Sequence, residues 1–343
     1  MRIVFLAEKR DKESKKRYLY LKENLEETGF LRNNNFDYFD LRLTDRNLKK
    51  IKDCEALVLF IDIEINRRIM RDLPHLKFIT TMSTGYDHID IESAREFGIG
   101  VCNVPAYGAN TVAEHTFGLI LNLTRKIWKA IDRVKKEDFS LENLQGIDLK
   151  GKTIGVLGIG NIGKNVVKIA HGFGMEILGY DRTEDKELKR KFGVVYASLD
   201  YLLKHSDIIS VHLPLTKETK HLINKENVKK IKRGALLINT ARGEIVETGA
   251  LRFALDKGIL SGAGLDVLEG EEEIHEEAEF LKRKEKINDW KTLIENHLLI
   301  DYENVIITPH MAFYSLEAEK RILDTTLENI AMFFMRKNKN KVN

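Results

Sequence analysis

Six residues constrain this chain more than any others: Gly158-Ile159-Gly160-Asn161-Ile162-Gly163. They follow an apolar run, Thr153–Leu157, and open a helix-like stretch that includes Val166, Val167, Ile169 and Ala170. A second apolar run, Glu176–Tyr180, ends in Asp181. The order is strand, glycine turn, helix, strand, acid. Gly158 permits a tight turn, Gly160 lets a pyrophosphate approach the backbone, and Gly163 lets helix and strand pack closely. The helix start offers unpaired N–H groups and a positive dipole end to phosphate. Asp181 is placed to accept both ribose hydroxyls of a dinucleotide. The motif alone leaves two alternatives open: a glycine turn that serves only packing, and the related turn of methyltransferases.

The rest of the chain agrees with an α/β architecture. Residues 1–104 alternate short apolar runs (Ile3–Leu6, Phe36–Phe39, Ala56–Phe60, Phe78–Met82, Gly100–Asn103) with polar, helix-compatible stretches. Short buried runs separated by helices imply βαβ units and a parallel sheet. Residues 110–136 carry a helical period through Val112, Phe117, Ile120, Leu123, Ile127 and Ile131, and predict one long helix. Residues 139–152 lack a period and read as an extended arm. A second series of strands is expected at 153–157, 176–180, 208–212, 235–239, 262–266 and 305–308, then a helix to about residue 335. The stretch 272–304 is long for a plain connection and should hold helices of its own.

At 343 residues the chain has room for about two domains. Its net charge of +3 gives no electrostatic case for nucleic acid. No window approaches the ~18 apolar residues of a membrane span, and the N-terminal apolar run is too short for a signal peptide. Both cysteines, Cys54 and Cys102, lie in apolar runs, as buried thiols of a reducing cytoplasm would. No His, Cys, Asp or Glu grouping has a metal-site spacing.

Three polar residues follow strands of the glycine-bearing domain, at the sheet end where ligands bind in open α/β folds. Arg242, in Asn239-Thr240-Ala241-Arg242-Gly243, can offer a guanidinium fork to a carboxylate. An exposed loop arginine is the alternative. His310, in Thr308-Pro309-His310, suits a proton donor at neutral pH; a structural histidine is its alternative. Glu271 can orient that imidazole and favour its charged form.

Together these residues resemble the D-isomer-specific 2-hydroxyacid dehydrogenase family along nearly the whole chain, and its D-lactate dehydrogenase branch most. The carrying motifs are the 158–163 turn with Asp181, Asn239–Gly243, Gly262-Ala263-Gly264-Leu265-Asp266-Val267, and Thr308-Pro309-His310. The resemblance implies two doubly wound parallel-sheet domains. Residues 1–104 begin a flavodoxin-like substrate domain, 105–308 form a Rossmann NAD-binding domain, and 309–343 return to the first. It implies that Arg242, Glu271 and His310 are catalytic. Glu269, Glu272 and Glu273 rival Glu271 for the glutamate, which the family places five residues beyond the aspartate of the Leu-Asp-Val motif. It implies NAD contacts at Gly158, Gly160, Asn161, Ile162, Gly163, Asp181, His212, Pro214, Thr219, Thr240, Ala241 and Asp266. Substrate contacts fall on Thr84, Gly85, Tyr107 and Phe313, with Phe60 and Tyr86 as further aromatic candidates.

The activity so implied is NAD-dependent reduction of a small 2-keto acid to the D-2-hydroxy acid, with pyruvate and D-lactate the leading pair. Hydroxypyruvate, glyoxylate or a branched keto acid are alternatives within the family. An NAD-sensing protein-binding scaffold is the alternative of another class. The long helix after Asn110 and the 139–152 arm resemble the family's homodimer contact.

Overall fold

Strands buried on both faces read as unbroken apolar runs and pair in parallel, and the inner strands of both sheets are built that way. The computed structural model describes residues 1–7, 12–40, 43, 45–61, 63–271, 290–335, 337 and 339–343. The chain divides into two units, Met1–Tyr107 with Ser315–Asn343, and Gly108–Tyr314.

The first unit holds β1 (Arg2–Ala7), β2 (Asn35–Asp40), β3 (Ala56–Leu59), β4 (Phe78–Thr81) and β5 (Gly100–Cys102), ordered β2-β1-β3-β4-β5. All four pairings are parallel, in the flavodoxin-like order. On one face Val4, Leu6, Leu57, Leu59, Ile79 and Val101 form a wholly buried core. Phe5, Tyr18, Phe36 and Tyr38 form an aromatic cluster at ring separations of 5.0 to 6.3 Å. The helix Leu316–Phe334 joins this unit, and its Asn329 side chain donates to Thr80 Oγ1 and to the Asn103 carbonyl. Arg17, almost fully buried, pairs with Glu319 at 2.8 Å and lies over the Phe60 ring. Phe60, named among the substrate-side aromatics, is buried under Arg17. Both cysteines are free and buried, and burial pushes the Cys54 thiol up to about 12 and the Cys102 thiol to about 11.

The second unit holds β6 (Thr153–Leu157), β7 (Glu176–Tyr180), β8 (Val195–Tyr196), β9 (Ile208–Val211), β10 (Ala235–Asn239), β11 (Leu260–Leu265) and β12 (Val305–Ile307). Their order is β12-β11-β10-β9-β6-β7-β8, parallel throughout. β6 pairs with β7 on one side and β9 on the other, so the order of strands reverses there. Ligands bind outside the carboxyl ends of strands at such a switch point. β8, only two residues long, is too short to have a sequence signature.

The single long helix expected after Asn110 is instead two, Ala109–Arg125 and Ile127–Val134. Gly118 does not break it; Lys126 does, at φ 53°. The cause lies in the arm. Ile147 N donates to the Thr124 carbonyl at 2.9 Å, and the Gly146 backbone presses so close that a Cβ there would lie 2.4 Å from the same oxygen. The stretch 139–152 contains neither helix nor strand. Of the helices expected in 272–304, Trp290–Ile300 is present. Residues 272–289, with Glu272 and Glu273, lie outside the described residues.

Candidate active site

The glycine turn opens from β6 into the helix Asn161–Gly172. Gly158 sits at φ 92°, and a Cβ on it would lie 2.7 Å from the His212 carbonyl oxygen, so both its conformation and its packing demand glycine. A Cβ on Gly163 would lie 2.1 Å from the Gly158 carbonyl oxygen. Gly160, by contrast, faces open space with no atom within 4 Å of a would-be Cβ, which is room for a ligand rather than for packing. Asp181 closes the turn: its Oδ2 accepts from Ile159 N at 2.7 Å and its Oδ1 from Thr183 N at 3.1 Å. Each carboxylate oxygen keeps a lone pair for a ribose hydroxyl.

His212, just past β9, has its Nε2 at 2.7 Å from Ser210 Oγ, while its Nδ1 is buried without a partner among the described residues. Burial holds this imidazole neutral, down to about 3. The Thr219 hydroxyl donates to the Pro214 carbonyl at 2.6 Å and accepts from Thr216 N, so it shapes the loop after β9. Thr240 is buried against Thr116, hydroxyl to hydroxyl at 3.1 Å. Ala241 N donates to Asn239 Oδ1, whose amide in turn donates to the Arg242 carbonyl. The sharp turn after β10 is built by Asn239. Arg242 leaves it in an extended conformation, one amine donating to the Ala241 carbonyl at 2.8 Å.

The three residues expected to carry chemistry all belong to this unit. Glu271 Oε1 lies 2.7 Å from His310 Nδ1, and Glu271 Oε2 accepts from Leu268 N at 3.2 Å. Of the rival glutamates, Glu269 turns away to His221 and Thr248. His310 is held at φ 50°, a left-handed conformation that costs a non-glycine residue and persists where its surroundings impose it. Asp266 imposes it. Its backbone carbonyl accepts from His310 N at 2.9 Å. Its buried carboxylate accepts from Thr308 Oγ1 and the Met311 and Ala312 amides. Most of the Asp266 carboxylate is thereby committed to the 308–312 turn.

Burial works to lower the His310 pKa. The hydrogen bond and charge of Glu271, with Asp266, outweigh that and the opposition of Arg242, so the imidazole stays protonated to higher pH than usual. Nδ1 is taken by Glu271, so only Nε2 could serve another partner. A hollow of about 280 Å³ lies beside His310, lined by Glu271, Leu268, Ile300, Ile307 and Pro309.

In the first unit, Ser83 Oγ donates to the Gly85 carbonyl and Asn103 Nδ2 to the Thr84 carbonyl, which pins the 83–85 loop at the end of β4. The Tyr107 carbonyl accepts from Arg321, and Ala106 before it sits at φ 60°. Phe313, in the second unit, is half-buried, with its Cβ 3.5 Å from where a Cβ on Gly108 would stand. Tyr86 is exposed. Sequence reasoning passed over three residues that the structure draws in. His115 Nε2 meets Thr308 Oγ1 at 3.1 Å, His221 Nε2 meets Glu269 at 2.6 Å, and Glu244 carries a carboxyl raised by burial and by Glu271 and Glu269. Partners far apart in sequence leave no local signal. Among the described residues no metal-binding group of His, Cys, Asp or Glu occurs, and no helix is long and apolar enough to cross a membrane.

Open space at Gly160, an unpartnered His212 Nδ1 and the braced carboxylate of Asp181 together fit a dinucleotide. Residues 117–312 match the family model for the D-isomer specific 2-hydroxyacid dehydrogenase, NAD binding domain. The Aquifex aeolicus D-lactate dehydrogenase, solved with NAD and lactic acid, superposes with a TM-score of 0.85 at 36% identity over 97% of this chain and 96% of that one. The D-lactate dehydrogenase of Escherichia coli K12 is 35% identical over 91% of this chain and 92% of its own. An aromatic 2-oxoacid reductase of Clostridium sporogenes is 38% identical over 84% and 79%. The glycine-bearing unit is an NAD-binding domain.

Proposed function

We propose, since this chain is a member of the D-isomer-specific 2-hydroxyacid dehydrogenase family, that it reduces a small 2-keto acid to the D-2-hydroxy acid, with pyruvate and D-lactate the leading pair. The observation that carries this reading is the 2.7 Å contact between Glu271 and His310 Nδ1. An imidazolium held in that way is a proton donor at neutral pH, which ketone reduction requires.

NADH, when bound, supplies the hydride that the carbonyl carbon receives. Gly158, Gly160, Asn161, Ile162 and Gly163 hold its pyrophosphate at the helix start, and Asp181 holds a ribose. His212, Pro214, Thr219, Thr240, Ala241 and Asp266 complete its site. Arg242 pairs with the substrate carboxylate, as a guanidinium fork does. The Thr84 and Gly85 amides bind that carboxylate too, while Tyr107 and Phe313 meet the rest of the substrate. His310 gives its Nε2 proton to the carbonyl oxygen as charge builds there, so the oxygen leaves as hydroxyl and the imidazole as its neutral form. Glu271 keeps the ring oriented and steadies the charged form before transfer; solvent then returns the proton. The reverse reaction runs through the same groups, with neutral His310 as base.

The proposal extends to a homodimer in the cytoplasm. Ile131, Val134, Phe139, Leu141 and Ile147 crowd exposed apolar surface onto the second helix and the arm, as a buried contact between two copies would need. Two free, buried cysteines suit a reducing compartment. The deciding experiment is NADH oxidation with pyruvate, hydroxypyruvate, glyoxylate, phenylpyruvate and 2-ketoisocaproate. Highest kcat/KM for pyruvate supports the reading; turnover of none overturns it.

A further inference from the structure

The turn Leu268-Glu269-Gly270-Glu271 carries two carboxylates with different partners. Glu271 reaches His310. The Glu269 carboxylate, mostly buried, has Oε1 2.6 Å from His221 Nε2, and its Oε2 accepts from Thr248 N at 3.1 Å and Thr248 Oγ1 at 2.9 Å. Thr248 opens the helix Thr248–Asp256, so this charge also sits at a favourable helix start. The Glu269 carbonyl accepts from the amide of Asn296, on the helix Trp290–Ile300, at 2.7 Å. Asn296 is completely buried, and its Oδ1 has no partner among the described residues. An apolar residue would spare that orphaned oxygen; the asparagine keeps the bond to the turn. On the far side the turn rests directly on Gly243, where a Cβ would lie 2.0 Å from the Leu268 carbonyl carbon. Glu269 is thus tied to three separate elements, while the residue two places on holds the imidazole.

We infer that Glu269 is a positioning residue for the reaction: its carboxylate, fixed by His221 and Thr248, locks the 268–271 turn so that Glu271 stays on His310 Nδ1. This rests on the reading of His310 as proton donor. Among the described residues Glu271 and Asp266 favour the charged form of His310, and Arg242 opposes it. Glu244 faces Glu271 and Glu269. The Glu269 carboxylate is bonded to His221 and Thr248, so its hold on Glu271 passes through the turn. Loss of the lock lets Glu271 drift, and a hydrogen bond of 2.7 Å does not survive a shift of about 1 Å.

The test compares wild type with Glu269→Gln, Glu269→Ala and Glu271→Gln. It measures Tm, folded fraction, and kcat and KM against pH for a 2-keto acid that the wild type reduces. Glu271→Gln should move the alkaline limb of kcat/KM to lower pH. If it does not, the Glu271–His310 reading fails and the inference falls with it. With that control in place, Glu269→Ala should lower kcat about 10- to 100-fold, the scale of a small misplacement at a reacting centre. It should move the same limb the same way, with KM for NADH within about twofold. Glu269→Gln keeps the shape and one acceptor, so it folds where the alanine variant does not, and it should show the same limb shift to a smaller extent. If Glu269→Gln lowers only Tm or folded fraction, with the limb and the kcat of the folded enzyme unchanged, Glu269 is merely structural and the inference is overturned.

Discussion

His310 and Asp266 are joined main chain to main chain, with His310 N donating to the Asp266 carbonyl at 2.9 Å, while the Asp266 carboxylate gathers the two amides that follow. The backbone at His310 is therefore fixed independently of its ring. Glu271 fixes the ring from a different turn. The backbone position of His310 and the orientation of its ring are thus set by separate residues and can be disturbed separately.

The first prediction follows from that separation. His310→Ala should lower kcat by about 10²–10⁴-fold, the usual contribution of a general acid, with little change in NADH affinity. Arg242→Ala should raise KM for the keto acid as well. In the wild type, His310 titrates above its ordinary value of 6.5. Keto-acid reduction needs the charged ring, so kcat/KM should stay level through neutral pH and fall only above that raised value. Hydroxy-acid oxidation should rise over the same interval. The linked stability has the same sign: it is fully present below the ordinary imidazole value and is lost as pH rises through the folded one. A reduction profile that declines from pH 6 upward contradicts the assignment.

Gly243 provides a second, purely steric prediction. A methyl group there collides with backbone atoms of Leu268 and Glu269, at 2.0 to 2.2 Å. Backbone cannot swing aside as a side chain can, so Gly243→Ala must displace the turn that carries Glu271. Overpacking of this kind costs about 1–3 kcal/mol, and kcat should fall as well. Thermal melts beside steady-state kinetics check it; a variant with wild-type Tm and kcat shows that the two turns are not in register contact.

Much of this was legible from residues alone, for identifiable reasons. The 158–163 turn speaks through glycines whose absence of Cβ is visible in any sequence, and the strands announce themselves as apolar runs because parallel strands are covered twice. The helix break at Lys126 was hidden, since its cause is the arm twenty residues on pressing against the Thr124 carbonyl. Glu269 and Glu271 are alike in type, and the spacing from Asp266 favoured Glu271 only through the resemblance; the partners brought by distant elements, His221 and His310, separate them physically. Phe60 ended an apolar run and read as a candidate wall of the substrate site; its cover, Arg17, was hidden because Arg17 pairs with Glu319 far along the chain.

Cofactor choice supplies the third prediction. Asp181 should repel the extra phosphate of NADP, with the exposed neighbour Arg182 partly offsetting it. Asp181→Ala should raise the ratio of kcat/KM for NADPH over NADH by about tenfold, or ~1.4 kcal/mol. The same change frees the Ile159 amide, so both absolute values should drop. Equal kcat/KM for the two cofactors in the wild type would mean that Asp181 serves only to brace the glycine turn.

The last prediction concerns substrate size. Phe313 lies three residues beyond His310, on the stretch whose backbone Asp266 holds at Met311 and Ala312. Its ring stacks edge-on to Tyr314 at 5.9 Å, and its Cβ is set against Gly108. An aromatic wall at that position would limit the side chain that can accompany the reacting carbonyl. Pyruvate should therefore be favoured over branched and aromatic keto acids. An apolar pocket discriminates a methylene by only about 1–3 kcal/mol, so the preference should be graded rather than absolute. Phe313→Ala should shift relative kcat/KM toward 2-ketoisocaproate and phenylpyruvate while leaving the pH profile in place, because the wall takes no part in proton transfer. A wild-type enzyme that prefers phenylpyruvate to pyruvate would sink the small-pocket claim, yet it would leave the roles of His310, Glu271 and Arg242 untouched.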